Sequence, residues 1–315
     1  MCKITQKVID ADNFSVFVEN YTPEKLQISP LTKKARAKWL SKQFVLKLIE
    51  HNPNSPLLKS YKNTLYCSHC LQQKGKKLTS TYCKNRWCAT CNRIRTGRLI
   101  NAYESQLKQL NDLHFVTLTK VTVTEEELID SIKLMEKVWS TIMRSRYNRK
   151  NKVKGLRKAE CTTRIEDKYH YHFHIMIEGK ENGNWLISEW LRLMGDKADK
   201  KAQDIRKADE GSLKELFKYF TKVTLQDKST GERKLADFRR LDVVFRAMRG
   251  KRVYQPFGGL KMVSEELENI EAQEFEQLEE AEKIWTWRGT DWIDEFGECL
   301  TGYEPSEDFK KIFRL

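Results

Sequence analysis

Two periods in the spacing of apolar residues predict a mixture of strands and helices along the chain. Segments 114–119, 156–165 and 169–178 are rich in β-branched and aromatic residues and alternate in polarity, which predicts strands. The last two are joined by the polar residues 166–168, a pattern typical of an antiparallel hairpin. Helical spacing or composition is found in five further segments: 31–50, 93–113, 124–142, 185–194 and 212–222.

This order of elements favours an α+β fold in which helices cover one central antiparallel sheet. We expect four regions: a basic helical region at 1–60, a cysteine-rich module with its connecting helix at 61–113, a mixed core at 114–262, and an acidic tail at 263–315. Within the tail, residues 264–282 are expected to form a solvated helix that ends at a tryptophan cluster.

Charge is distributed unevenly between the body of the chain and this tail. The net charge is +14, yet residues 263–315 hold 16 acidic and 5 basic side chains, so the body carries a large basic excess. Such an excess is typical of a protein that binds nucleic-acid phosphates, although a solvated basic surface is the alternative. Since no apolar stretch approaches the roughly 18 residues of a membrane helix and no secretory pattern is seen, we expect a cytoplasmic protein without a membrane partner.

Five of the eight cysteines lie close together, spaced Cys-x2-Cys and then Cys-x4-Cys-x2-Cys; they are Cys67, Cys70, Cys83, Cys88 and Cys91. Zn²⁺ prefers four soft ligands in a tetrahedron, and a Cys-x2-Cys turn supplies two thiolates from one loop. The spacing therefore predicts a structural zinc site made by four of the five. Geometry alone favours the two Cys-x2-Cys pairs, with Cys83 and His69 as competitors. The arginines among and after them predict a DNA-facing surface: Arg86, Arg93, Arg95 and Arg98.

Histidines are concentrated in the predicted strand 169–178. Because side chains alternate along a strand, His170, His172 and His174 project from one face. Neutral imidazoles two residues apart can share a divalent ion, and Glu160 on the preceding strand is a candidate third ligand. The alternative is a half-buried strand whose wet face is rich in histidine.

The predicted helix 212–222 carries a second candidate reactive group. Its apolar stripe is Leu213, Leu216, Phe217 and Phe220. Glu215, Tyr219 and Lys222 fall together on the opposite face. In phosphoryl transfer, a phenol can act as the nucleophile. A neighbouring carboxylate can act as its base, and a neighbouring ammonium can bind the phosphate. Since Ser212 and Glu215 also satisfy a capping-box pattern, a purely structural role is the alternative.

Three segments, taken in order, resemble the motifs of the HUH endonucleases: 115–119, His172-Phe173-His174, and Glu215-x3-Tyr219-x2-Lys222. The cysteine segment 82–91 is similar to a motif of one branch, the rolling-circle replication initiators of small Gram-positive-type plasmids. Further matches lie at 155–160, 249–252 and 258–259, so the resemblance covers about residues 60–262. That branch carries one upstream cysteine rather than a pair, which favours Cys83 as a ligand and leaves one of Cys67 and Cys70 in doubt.

The resemblance implies a palm-like sheet and a metal-dependent enzyme that nicks and joins DNA. His172 and His174, with Glu160, would hold Mg²⁺ or Mn²⁺. Tyr219 would attack the origin to give a 5′-phosphotyrosine and a free 3′-OH, with Lys222 orienting the phosphate. Glu215 falls where the plasmid branch places a glutamate that activates water at termination. The implied partner is single-stranded or hairpin origin DNA, with a host helicase as a further candidate and oligomerisation left open.

Two other functions share part of this pattern. A relaxase or single-strand transposase would use the same histidines and tyrosine, although those branches more often lack the cysteine module. A non-catalytic zinc protein that binds DNA would need only the cysteines and the basic charge.

Overall fold

The computed structural model describes residues 29–75, 77–164, 167–217, 224–226, 233–263 and 281–313. Its helices are α1 (Pro30–His51), α2 (Leu58–Leu65), α3 (Ala89–Leu107), α4 (Glu125–Met143), α5 (Arg146–Asn151), α6 (Lys180–Met194), α7 (Glu210–Phe217), α8 (Phe238–Met248) and α9 (Glu307–Phe313). Its strands are β1 (Cys70–Lys74), β2 (Lys77–Ser80), β3 (Leu113–Thr119), β4 (Gly155–Thr163), β5 (Tyr169–Glu178), β6 (Asp204–Lys207), β7 (Thr224–Gln226), β8 (Arg233–Leu235), β9 (Tyr254–Phe257), β10 (Lys283–Arg288) and β11 (Asp291–Ile293).

The central sheet has five strands in the order β6-β3-β5-β4-β9, and all neighbours are antiparallel. The predicted α+β class and the hairpin of β4 and β5 are confirmed. The register of this hairpin pairs Glu160 with His172 and Lys158 with His174. On the other side of β5, Thr117 of β3 pairs with His174. Cross-strand partners share a face, so these side chains project together.

Helices α4 and α6 cover the opposite face of the sheet. Phe173 packs edge-to-face between Trp139 of α4 and Trp190 of α6, with ring centroids 5.8 and 5.7 Å apart. The capping box of Thr124 and Glu127 is present at the start of α4, as the sequence predicts. The histidine strand is therefore anchored from behind by an apolar core.

One ion pair is built into that core. Arg157 of β4 is 1% exposed and donates to both carboxylate oxygens of Glu136 at 2.9 and 3.1 Å. The Tyr171 hydroxyl donates to the same carboxylate at 2.6 Å, and the Arg157 guanidinium lies 4.2 Å from the Phe173 ring centroid. Arg157 has lost its hydration, whereas the Glu136 side chain is still 32% exposed, so the buried guanidinium depends on this carboxylate for its opposite charge.

A second sheet joins the cysteine module to the C-terminal part of the chain, in the order β11-β10-β1-β2. β10 pairs antiparallel with β1, and Trp285 and Trp287 point into the core. The Trp292 indole N–H donates to the Ser68 carbonyl at 2.9 Å. The region predicted as an acidic tail therefore contains β10 and β11, which belong to the sheet of the cysteine module. Burial of Trp285, Trp287 and Trp292 holds these strands in place.

Helix α9 extends this packing to the N-terminal helix. Phe309 and Phe313 contact Trp39 of α1, with centroids 6.2 and 5.7 Å apart. The helix predicted within 264–282 falls almost entirely on residues 264–280, which lie outside the described residues. In the part of the chain that is described, we find no helix long and apolar enough to cross a membrane.

Candidate functional site

The two predicted histidine ligands and Glu160 meet on the face of the central sheet that carries Thr117 and Lys158, here called the histidine face. The Nε2 atoms of His172 and His174 lie 3.1 Å apart. Glu160 Oε2 lies 3.9 Å from the first and 3.6 Å from the second. The cluster arises because β4 and β5 pair in a register that sets Glu160 opposite His172 and one pair away from His174 on the same face.

The Nδ1 atom of each imidazole lies near an oxygen that can accept its proton. Thr117 Oγ1 lies 3.3 Å from Nδ1 of His174, and the His170 carbonyl lies 3.3 Å from Nδ1 of His172. A proton on each Nδ1 leaves an Nε2 lone pair directed into the cluster, the arrangement seen for metal-binding histidines. Sequence reasoning missed Thr117 as part of the site, although its alternation within 115–119 places it on this face.

Lys158 is a further residue that the sequence did not identify. Its side chain is 1% exposed, and its ammonium donates to Glu160 Oε2 at 3.0 Å. Burial opposes ionisation of Glu160, but the charge of Lys158, and at low pH those of protonated His172 and His174, outweigh it and lower the pKa of this carboxyl to about 2. The carboxylate is therefore ionised at neutral pH. The signal for Lys158 was its position two residues before Glu160.

Burial has the matching effect on the histidines. It lowers the pKa of His172 and, with the neighbouring charge of His172, lowers that of His174 to about 3. Both imidazoles are therefore neutral at pH 7 and able to donate a lone pair. Adjacent ligands of a six-coordinate Mg²⁺ ion lie about 3.0 Å apart, so the 3.1 Å between the two Nε2 atoms fits such an ion.

His170 shares the face but not the cluster. Its ring stacks on that of His172, with centroids 5.0 Å apart and planes 29° apart. Among the described residues of this face, the group that could hold a metal ion contains Glu160, His172 and His174. The predicted common orientation of the three histidines is confirmed.

Helix α7, the described part of the predicted tyrosine helix, packs on the same face. Tyr254 of β9 is the cross-strand partner of Lys158 of β4. The Tyr254 hydroxyl donates to the Leu216 carbonyl of α7 at 3.3 Å. The Phe217 ring stacks on Tyr254, with centroids 5.5 Å apart. Leu216 and Phe217 are buried as predicted, and Glu215 is half-buried. Tyr219 and Lys222 lie outside the described residues, as does Phe220.

Four of the five clustered cysteines form the second candidate metal site: Cys67, Cys83, Cys88 and Cys91. Cys88 caps α3 and Cys91 lies one turn inside it, while the other two flank the hairpin of β1 and β2. Cys67 Sγ lies 3.5 Å from the sulfurs of Cys88 and Cys91, and Cys83 Sγ lies 3.7 Å from that of Cys91. Cys70 is exposed on β1 and does not join them.

These distances fit a tetrahedral zinc ion. With Zn–S bonds of about 2.3 Å, the sulfurs of a tetrahedral site lie about 3.8 Å apart, whereas a disulfide requires about 2.05 Å. Burial opposes ionisation of Cys88, but hydrogen bonds with Cys67, Cys83 and Cys91 outweigh it and lower the pKa of this thiol well below its usual range. The thiolate that zinc needs is therefore favoured at the start of α3.

The four arginines predicted to contact DNA lie in different environments. Arg95 is buried and donates to Asn92 Oδ1 at 2.7 Å and to the Lys84 carbonyl at 2.8 Å. Arg86 donates to the Lys251 carbonyl at 2.6 Å, which ties the cysteine module to the loop before β9. Arg93 is half-buried and Arg98 is exposed. A DNA-contacting role for these arginines stays a prediction.

This chain is similar in sequence to two curated proteins. Protein rep of Lactiplantibacillus plantarum is 27% identical over 247 residues, which cover 64% of this chain and 75% of that protein. Protein rep of Lentilactobacillus hilgardii is 26% identical over 124 residues, which cover 36% of this chain and 40% of that protein. No solved structure gives a significant match.

A family model described as "Replication protein" matches residues 74–292. The matched span contains the cluster of Glu160, His172 and His174, three of the four clustered cysteines, β10 and the first two residues of β11. It covers most of the chain and extends beyond the limit of residue 262 that the motifs alone suggested. This chain belongs to the Rep family of replication proteins, as its resemblance to the plasmid branch predicted.

Proposed function

We propose that this protein initiates rolling-circle replication of a plasmid by nicking one strand of its origin DNA. The observation that carries the proposal is the cluster of two neutral imidazoles and one ionised carboxylate on the histidine face, in a chain of the Rep family. The packing of Leu216 and Phe217 on the same face supports it, because Tyr219 follows two residues later.

In this proposal the Tyr219 hydroxyl attacks the scissile phosphorus. The tyrosine hydroxyl gives up its proton as its oxygen bonds to phosphorus, the bond from phosphorus to the 3′ oxygen breaks, and the leaving 3′ oxygen takes up one proton to become the 3′-OH. The strand then carries its 5′ phosphate on Tyr219, and the 3′-OH primes synthesis. Mg²⁺ or Mn²⁺, when bound, would neutralise charge that develops on the phosphodiester oxygens.

The residues of the chain itself have separate tasks in this step. His172, His174 and Glu160 would hold the ion, Thr117 would fix the orientation of His174, and Lys158 would keep Glu160 ionised. Lys222 would orient the phosphate. Glu215 would later activate the water that ends a replication round, which a half-buried position in α7 allows.

The cysteine cluster would hold Zn²⁺ as a structural ion. Four thiolates would fill the four positions of a tetrahedral ion and leave none for water or substrate, and such closed sites support folding rather than chemistry. Zinc would join α3 to the hairpin of β1 and β2, and through that hairpin to β10.

The proposal is tested by incubating the purified protein with Mn²⁺ and single-stranded oligonucleotides from its origin. We expect a covalent adduct that survives denaturing electrophoresis, disappears in Tyr219→Phe, and persists in Tyr66→Phe, a matched control whose side chain is 71% exposed on the cysteine module. Glu215→Ala should still nick but terminate poorly.

The outcomes separate the candidate functions. Two results would identify a non-catalytic zinc protein instead. One is a wild-type protein that binds origin DNA but forms no adduct, and the other is full replication activity in Tyr219→Phe. Membership of a replication family favours replication over the relaxase and transposase alternatives. An adduct with transfer-origin or element-end DNA, but not with replication-origin DNA, would reverse that preference.

A further inference from the structure

Lys38 of α1 is a buried cation beside the cysteine cluster. Its side chain is 1% exposed, and its ammonium donates to the carbonyls of Leu65, at 3.0 Å, and Cys67. Across the described ranges of the chain, no carboxylate lies within salt-bridge distance of it. A buried charge is strongly unfavourable unless an opposite charge lies nearby. Carbonyl dipoles alone do not supply that charge, so a further partner is needed.

The same face of α1 contacts the cluster a second time. Ser41, one turn after Lys38, donates through its hydroxyl to Cys88 Sγ at 3.6 Å and accepts the Ala89 amide N–H at 2.6 Å. Ser41 is 2% exposed. The helix therefore closes one side of the cluster with a hydroxyl and an ammonium, two groups that stabilise negative charge on sulfur.

The charge of a loaded site supplies the missing partner. Four thiolates around one Zn²⁺ ion leave two net negative charges, whereas four neutral thiols leave none. We propose that Lys38 is the buried counter-charge of a zinc–tetrathiolate centre, and that it makes the docking of α1 depend on the ion. This inference rests on the zinc site proposed above.

The dependence extends to the C-terminal strands. The Lys38 ammonium lies 5.9 Å from the ring centroid of Trp287 on β10, and the Trp287 backbone N–H donates to the His69 carbonyl at 2.8 Å. Loss of the ion would remove most of the negative charge of the cluster, leaving the buried ammonium at most the Cys88 thiolate as an opposite charge. We therefore expect α1 to separate from the cluster and expose Lys38 when zinc is removed.

Zinc affinity of the full-length protein gives the first test. Competition with a chromophoric chelator should show zinc binding 10–100-fold weaker in Lys38→Met, the range typical of lost outer-sphere partners. Lys47→Met is the matched control on the same helix, because Lys47 pairs with Glu50 at 2.8 Å. It should bind zinc like the wild type, and equal affinity in Lys38→Met would overturn the proposal.

Lysine labelling of the wild type gives a second test that does not depend on the folding of a variant. The protein is treated with an amine-acetylating reagent before and after zinc is removed by chelation, and each site is quantified by mass spectrometry. Lys38 should be protected with zinc and react at least tenfold faster without it, while Lys47 should react equally in both. Equal protection of Lys38 in the two states would overturn the proposal. Wild-type protein that holds no zinc would instead refute the zinc site itself.

Discussion

Replacement of single cysteines tests the assignment of the zinc ligands most directly. The structure brings Cys83 to within 3.7 Å of the Cys91 sulfur and leaves Cys70 exposed on β1. Structural zinc contributes about 10–16 kcal/mol in small zinc domains, so one of four thiolates accounts for about 3 kcal/mol. We therefore expect Cys83→Ser to weaken zinc binding on the order of 100-fold and Cys70→Ser to leave it unchanged.

The assay measures zinc by chelator competition and follows ligand number through the visible absorption of Co²⁺, which replaces Zn²⁺ in thiolate sites. The wild type and Cys70→Ser should give the same tetrathiolate spectrum, and Cys83→Ser should lose intensity. A loss of zinc in Cys70→Ser as large as in Cys83→Ser would refute the ligand set. A loss of zinc in Cys70→Ser together with unchanged binding in Cys83→Ser would instead support the pairing of two Cys-x2-Cys turns that spacing alone favours.

Four further predictions follow from the central sheet and the charge. Thr117→Val should weaken Mn²⁺ binding about tenfold, because the partner of His174 Nδ1 is lost; unchanged affinity in calorimetry would contradict this. Glu136→Ala should lower the free energy of unfolding by about 3–5 kcal/mol, since Arg157 stays buried without its partner; a urea titration showing less than about 1 kcal/mol would refute it. Between the usual histidine pKa of about 6.5 and the folded pKa of about 3, the unfolded state binds more protons at His174 than the folded state does. The free energy of unfolding of the metal-free protein should therefore fall as pH falls through that window. In EDTA, the fall in this free energy between pH 7 and 5 should be smaller in His174→Asn than in the wild type. Binding of origin DNA should weaken steeply as salt rises, and a flat response would exclude a large contribution from counterion release.

The periodic elements were predictable because local patterns determine them. Alternation in β3, β4 and β5, and the spacing from Leu128 to Ile142 in α4, result from burial on one side of each element. The pairing of Glu160 with the histidines was also predictable. A short polar turn after β4 sets the register, and alternation sets the face.

Contacts between distant segments were not predictable in the same way. Spacing could not decide between Cys70 and Cys83, because that choice depends on how the hairpin of β1 and β2 turns relative to α3. The predicted tail missed β10 because its partner β1 lies about 200 residues earlier. Nothing in the local sequence distinguishes Lys158 and Lys38 from solvated lysines, since their burial depends on tertiary packing alone.

The pairing of β1 with β10 also bears on how the protein is made. The first half of the second sheet is synthesised long before the strands that complete it, while all five strands of the central sheet are synthesised in between. A ribosome-bound chain therefore has its central sheet available for folding while β1 still presents an unpaired edge. The module closes last, so a chain interrupted before residue 283 would have an open edge beside its cysteines and be a ready target for proteases.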